Sequence, residues 1–519
     1  MNREKEDVMR IKVFCLFLVT LVATGLFFSG PSHAMKEDTI VVAVDSNFST
    51  LAKYIVTNQQ IVRLWASLGG TVLYRDGKTN ELDPARSQLD SWKRVDDTTW
   101  EFTVRKGLTF HTGNPVTSAD FKFTFEKAIL DKTRKARHRT RYSWITEVKI
   151  IDDHTFQIIT KKPFPLALDR LSAFSVYDSK YIIEKGFDYH AKHPVGCGPF
   201  KFSEWKKGQY ITLVAFPDYW KKGYPKTKKL VFKIIPEFAT RVAELKSGSV
   251  DLITNIDPDK LDQISTDPNL KVVGGPIPRV IFYQFDGSGR ASKTPFMDIR
   301  VRQAVCHAID KKKIVETVLR GQGLVVNYMG SPFLFGRNPD QKDYEYNPEK
   351  AKALLKEAGY EKGFETDIWQ YYGEQHLFNT AAIYYLSKVG IKVNVKDYRG
   401  NIGRLVKRRN AGNVTGIGNY SWGTGSIFDM SQFLNLWFTL KSKKNYNPDP
   451  DLDAWLEEAD NTFDQKRRKE LFFKAQQRLH EKAYVMPLFV KYENWGANKK
   501  LQLTLPSWGT PRYYEMYWK

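Results

Sequence analysis

"TTWEFTVRKGLTFHTGNPVTSADFKFTFEKAI", residues 98–129, changes its hydrophobic period part-way along. Trp100, Phe102 and Val104 alternate with polar neighbours, the two-residue repeat of a half-buried strand. Further on, Thr117 or Ser118 can cap a helix, and Phe121, Phe125 and Ile129 fall on one helical face. A strand that turns into a helix sets the first expectation, an α/β chain.

The flanking segments agree. "DTIVVAVD", 38–45, is an apolar run rich in β-branched residues and suits a buried strand. "VKIIDDHTFQIIT", 148–160, reads as a hairpin turning at Asp152–Asp153. Helical periodicity marks 297–319 and 347–360, where Pro348 lies in the first turn and Gly359 stops the helix. The stretch 449–483 contains one or two amphipathic helices, and 390–398 and 485–492 look like strands. Short strands mixed with helices place the chain in the α/β class.

At 519 residues the chain is long enough for several cores, since domains run to about 100–200 residues. With 42% hydrophobic and 27% charged residues it has an ordinary globular composition. The 14% aromatic content leaves rings for binding surfaces as well as cores. The net charge of +22 favours acidic surroundings or anionic ligands. The densest basic run, "DKTRKARHRTRY" at 131–142, comes with no recognition helix or stacking platform. It reads as a solvated face, and no nucleic-acid partner is expected.

Arg10 and Lys12 precede an apolar run from Val13 to Phe28, and "SGPSHA" follows with Ser32 and Ala34 in small-x-small spacing. This is the secretory pattern, and the run is shorter than the roughly 20 residues of a spanning helix. The expectation is a signal peptide over 1–34 and a mature chain that begins at Met35. Glu4, Glu6 and Asp7 fit the basic region poorly, and translation from Met9 gives a cleaner signal. Cys15 stands near the front of the run, where a lipid-bearing cysteine does not belong. A soluble exported protein is therefore expected. Cys197 and Cys306 read as two separate buried thiols.

Catalytic patterns are missing from the sequence. It has no HExxH, no CxxC pair and no GxSxG elbow. His190 and His193 read as a surface pair, and His111 sits at a strand end with no partner visible. No metal, cofactor or enzymatic step is expected. In "NVTGIGNYSWGTGSIFDMSQFL", 413–434, the pair Gly423/Gly425 would need a small residue at Phe428 and the pair Gly416/Gly418 one at Ser421. Neither makes a dinucleotide loop.

"HPVGCGPFKFSEWKKGQYITLVAFPDYW", His193–Trp220, resembles a signature of the dipeptide/oligopeptide (family 5) extracellular solute-binding proteins. Val195-Gly196-Cys197-Gly198-Pro199-Phe200 fits its V-G-T-G-P-Y/F, with Cys197 in place of threonine, and Trp205, Gly208 and Asp218-Tyr219-Trp220 follow in order. The blocks at 100–128, 297–323, 346–360 and 467–489 are also similar, in the same sequence.

The resemblance implies a bilobed fold of the periplasmic-binding-protein type II, with an extra subdomain in the first lobe. The main lobe would take 36–75, 190–278 and 488–519, the extra subdomain 76–189 and the second lobe 279–487. It also implies a periplasmic monomer that closes on a solute in the cleft and delivers it to a membrane permease with its ATPases. Peptides are the first expectation. A non-peptide solute (an opine, a sugar phosphate, a nickel complex) and a sensor that docks on a receptor are alternatives, and an exported hydrolase lacks a nucleophile–base pair.

Peptide-binding relatives hold the ligand ammonium with an acid placed after a tryptophan, in a pattern like W-x-x-D-Y-x-D/E-P-x-x-F-L. Here Trp422 and Phe433-Leu434 match, but the acid's place falls near Gly425. Either Asp429 takes over that role, or the ligand has no free amino terminus. Tyr420, Trp369 and Tyr371 are candidate cleft aromatics, and Asp45, Ser46 and Phe48 follow the first strand where a cleft wall is expected.

Overall fold

The computed structural model describes residues 38–519 apart from 57, 58, 137 and 426. The expected signal peptide and the start at Met35 lie outside the described residues.

The first expected strand forms over Thr39–Val44, where Ile40, Val42 and Val44 are fully buried. It pairs in parallel with Lys229–Ile234 and Leu252–Ile253. Antiparallel strands Tyr210–Ala215 and Phe200–Lys206 extend that side of the sheet. On the other side the sheet continues through Val485–Asn498, Leu270–Phe285, Ile417–Gly423, Phe364–Gln370 and Ile391–Asp397. Hydrophobic residues collect at both ends of this sheet, which gives two lobes. One core holds Ile40, Trp65, Phe102 and Phe232, and the other holds Phe282, Trp437, Phe433 and Phe472.

Two long strands serve both lobes. Leu270–Phe285 and Val485–Asn498 run antiparallel; the first passes from a smaller cluster with Val242, Leu245 and Ile253 into the core of Phe282, and the second passes from that core into the core of Trp65. Their register slips between Pro276 and Val280, where the pairing passes from Tyr492 to Val490. Pro276 and Pro278 cannot donate to a ladder, so the ribbon loosens where it passes between the lobes.

Residues 98–129 fold as their periods predict. The strand is Thr99–Val104, and the helix Ser118–Phe123 widens into a π-turn over Thr124–Ile129. Asp120 accepts from the Thr117 N–H at 2.9 Å and so fixes the helix start. Phe121 and Phe125 stack on Phe156 and Phe174. The strand belongs to a separate four-stranded antiparallel sheet with Leu89–Arg94, Ile145–Asp152 and Thr155–Thr160. Its hairpin turns at Asp152–Asp153, where Asp152 accepts from the His154 N–H at 2.8 Å.

Two expectations need correction. The stretch 297–319 is two helices, Ile299–Ala308 and Lys311–Thr317. Ile309 leaves helical geometry, and Asp310 caps the second helix by accepting from the Lys313 N–H. His190 and His193 do not form a surface pair. His193 is exposed, but His190 is fully buried, stacked on Tyr54 and edge-on to Tyr177. That aromatic cage lowers the His190 pKa to about 4, so its ring is neutral.

The glycine block at 195–200 is a packing device. A β-carbon at Gly196 or Gly198 would collide with the Leu68 or Ser67 carbonyl, at the end of the helix Gln59–Leu68. His111 straps the block down. Its Nδ1 accepts from the Gly196 N–H at 3.3 Å and its Nε2–H donates to the Gly198 carbonyl at 3.0 Å. Burial lowers the His111 pKa to about 4, which keeps that tautomer neutral. Cys197 and Cys306 are buried and unpaired.

Candidate functional site

A cavity of about 790 Å³ lies between the two lobes and takes residues from both. That volume suits a small molecule of drug or short-peptide size. The strand Ile417–Gly423 supplies Tyr420 and Trp422, and the turn after it supplies Thr424 and Gly425. Tyr371 fixes this strand. Its hydroxyl donates to the Ser421 carbonyl at 3.0 Å and accepts from the Ser421 N–H at 2.9 Å. Trp437 backs the wall at 5.1 Å from the Tyr420 ring and 6.0 Å from the Trp422 ring.

The chemistry of the wall is cationic. From the second lobe come Arg279, Arg409 and Lys444. Arg279 lies opposite Gly423 in the strand pairing, and its guanidinium reaches Ser421 Oγ at 3.3 Å. Arg409, at the end of the helix Ile402–Asn410, lies over the Tyr420 and Trp437 rings. Lys444 Nζ sits 4.4 Å over the Trp422 ring. Burial, and then the Arg409 charge, lower the Lys444 pKa to about 7.

From the first lobe come Lys53, Arg75, Arg141, Arg170 and Arg512. Lys53 donates to the Ala173 carbonyl at 2.8 Å and to Ser175 at 3.0 Å. Burial, and then Arg141, lower its pKa to about 7. Among the described residues no aspartate or glutamate lines this cavity. Among the described residues, Arg75 alone of its lysines and arginines has an ion-pair partner, Asp169 at 2.8 Å.

Contacts also cross between the lobes at the cavity's edge. Arg170 donates to Gln432 Oε1 at 2.7 Å, and the Phe428 N–H donates to Asp169 Oδ1 at 3.1 Å. Arg75 lies over the Phe428 ring.

Of the residues expected at the site, Trp422, Tyr420, Tyr371 and Gly425 line the cavity. Asp429 does not. Its carboxylate is buried, 2.9 Å from Arg468, and accepts from the Ser431 N–H. A carboxylate already engaged inside the fold is not placed to meet a ligand ammonium. Trp369 faces away, donates to the Thr415 carbonyl at 2.8 Å and lines a smaller cleft of about 330 Å³. Asp45 accepts from Gln60 and Asn255, and Ser46 donates to it, while Phe48 packs on Phe232. None of these three lines the cavity.

Sequence reasoning missed the cations. The run 131–142 gives Arg141 and His138 to the cavity wall, so it is not only a solvated face. Its charge density was the one available signal. Among the described residues, no three His, Cys, Asp or Glu side chains gather as for a metal ion. No described helix is long and apolar enough to cross a membrane.

Comparison with known proteins gives a consistent result. A model described as "Bacterial extracellular solute-binding proteins, family 5 Middle" matches residues 86–445. Heme-binding protein A of Haemophilus influenzae is 31% identical over 451 residues, which are 80% of each chain. The dipeptide-binding protein of Escherichia coli is 28% identical over 445 residues, 78% of this chain and 80% of its own. Among solved structures, the periplasmic binding protein DppA of Helicobacter pylori in complex with the peptide STSA superposes with a TM-score of 0.76. It is 25% identical, and the match covers 92% of this chain and 98% of that one.

Proposed function

Because the chain belongs to the family 5 bacterial extracellular solute-binding proteins, we propose that it is the solute-capturing subunit of an ABC importer. It works on the outer side of the cytoplasmic membrane, takes a solute into the cavity between its lobes and presents the closed form to a permease with its ATPases. The observation that carries this reading is the cavity of about 790 Å³ walled from both lobes. A ligand that touches both walls favours the closed form over the open one, and only that difference in affinity drives closure.

Family members are binding proteins. The lobe boundaries 36–75, 190–278 and 488–519 against 279–487, with 76–189 as extra subdomain, form part of the same proposal, as do action as a monomer and removal of 1–34. The two crossing strands support the division into lobes.

Relatives named for dipeptides make a short peptide or peptide-like compound the class to test first. The test is to purify the exported protein from its own cells and identify released solute by mass spectrometry, with calorimetry to measure rebinding. One small molecule bound per chain is expected. A protein that carries none, rebinds none and can be deleted without loss of any uptake would overturn the reading.

A further inference from the structure

The cavity wall says more about its occupant than the fold does. We infer that the solute carries at least two acidic groups, carboxylate or phosphate, and no free ammonium. This rests on the reading of the cavity as the solute site and specifies the ligand class of that same site.

The cations stand on both walls. Arg279, Arg409 and Lys444 face the cavity from the second lobe, and Lys53, Arg141 and Arg170 face it from the first. None of the six has a carboxylate at ion-pair distance among the described residues. Instead Lys53, Arg170, Arg279, Arg409 and Lys444 rest on carbonyls, hydroxyls, amides and ring faces. Each of those partners is uncharged, and the acids that do act, Asp169 and Asp460 on Arg170 and Glu374 on Arg279, lie outside the lining. Lys53 and Arg409 are buried, Arg170, Arg279 and Lys444 half-buried and Arg141 exposed; a charge removed from water needs a counter-charge, and no lining carboxylate supplies one.

A zwitterionic peptide would bring one carboxylate and one ammonium. The ammonium would be a further positive charge in an enclosure that has no lining acid to receive it. A solute with an acid group toward each wall would neutralise both, and would let two cationic surfaces close on one another. Guanidinium groups suit such anions, with paired N–H donors matched to carboxylate or phosphate oxygens.

Unsatisfied buried donors point the same way. Trp422 Nε1, Thr424 Oγ1 and Arg170 Nε are buried on lining residues with no hydrogen-bond partner. Two of the three atoms can only donate, so an acceptor-rich ligand satisfies them. The rings of Trp422, Tyr372, Phe174 and Trp508 line the space between and suit an apolar or flat body that joins the acid groups.

Calorimetry on the exported protein, freed of bound solute, tests this with four probes: N-acetyl-aspartyl-glutamate, N-acetyl-phosphoseryl-glutamate, aspartyl-glutamate and alanyl-alanine. At least one blocked acidic probe should bind ten-fold or more tighter than aspartyl-glutamate. Which of the two binds better separates carboxylate from phosphate recognition. Arg409→Gln should cut that affinity ten-fold or more, and rising salt should weaken it. Equal or tighter binding of either free-amine peptide overturns the inference and leaves the solute-binding reading intact.

If none of the four binds, the solute released from protein purified from its own cells decides. A molecule with two or more acid groups and no primary amine upholds the inference, and any other molecule overturns it. A protein that neither binds nor releases a small molecule overturns the solute-binding reading, and the inference falls with it.

Discussion

Asp429 and Arg468 form an ion pair at 2.9 Å with both side chains almost wholly buried, which commits the acid of the loop 421–434 to the fold. Arg468 reaches it from the helix Gln465–Glu481 and also donates to the Ala459 carbonyl. The pair therefore staples the ligand-facing loop to the lobe behind it.

Asp429→Asn should act on stability. Removing one partner of a buried pair leaves the other charge uncompensated, and a loss of about 3 kcal/mol is expected in denaturant unfolding. Affinity for the bound solute should change less than ten-fold. Unchanged stability with a large loss of affinity would return Asp429 to the role of ligand anchor.

Gly425→Asp should create what the cavity lacks. Gly425 has φ +62°, and an added β-carbon there meets nothing within 4 Å. Aspartate tolerates the left-handed region better than most residues, at a cost of about 1 kcal/mol. The variant should gain measurable affinity for alanyl-alanine and lose affinity for acidic solutes, read by calorimetry. A variant that still ignores free-amine peptides would show that this position does not meet the ligand's amino end.

His111→Ala should cost about 2 kcal/mol, since two hydrogen bonds to the Gly196–Gly198 backbone are lost from a buried site. The block lies against the helix Gln59–Leu68, so solute affinity at full folding should hold within a few-fold. A selective loss of affinity without loss of melting temperature would count against a packing role.

The empty protein should grow more stable between pH 7 and about pH 10. Lys53 and Lys444 titrate near 7 in the fold, against an ordinary value of 10.5, through burial and through Arg141 and Arg409 respectively. Over that window the unfolded chain holds protons that the folded chain has released, so stability rises with pH. Below about pH 7 both forms are protonated and the full penalty applies. Thermal melts across the window should show the rise, and Lys444→Met should reduce it to the part that Lys53 supplies. A melting temperature that falls from pH 7 to 9 would contradict the placement of these two lysines.

The fold was legible where side chains repeat. The Trp100/Phe102/Val104 alternation and the Phe121/Phe125/Ile129 face became a strand and a helix because one periodicity decides which face is buried. The family blocks were legible because they are backbone devices: Gly196 and Gly198 admit no β-carbon, and His111 has two fixed partners. The cleft cations were not legible. Lys53, Arg141, Arg279 and Arg409 lie far apart in the chain and are ordinary surface residue types until the lobes bring them together. Asp429 misled for the opposite reason, since a lone acid in a ligand loop does not reveal a buried arginine behind it.

The crossing ribbon has a mechanical consequence. Arg279 sits beside the register slip, where Leu270–Phe285 enters the core of Phe282. If the ribbon is the pivot of the proposed closure, a solute that pulls on Arg279 pulls close to it, where a force has a short lever arm. Torque for that closure would then come from groups carried off the ribbon, Lys444 and Arg409 on one side and Arg141 and Arg170 on the other. Tethering and latching would then be separate tasks for separate cations, and a short anion that reaches only Arg279 would dwell in the cleft without shutting it.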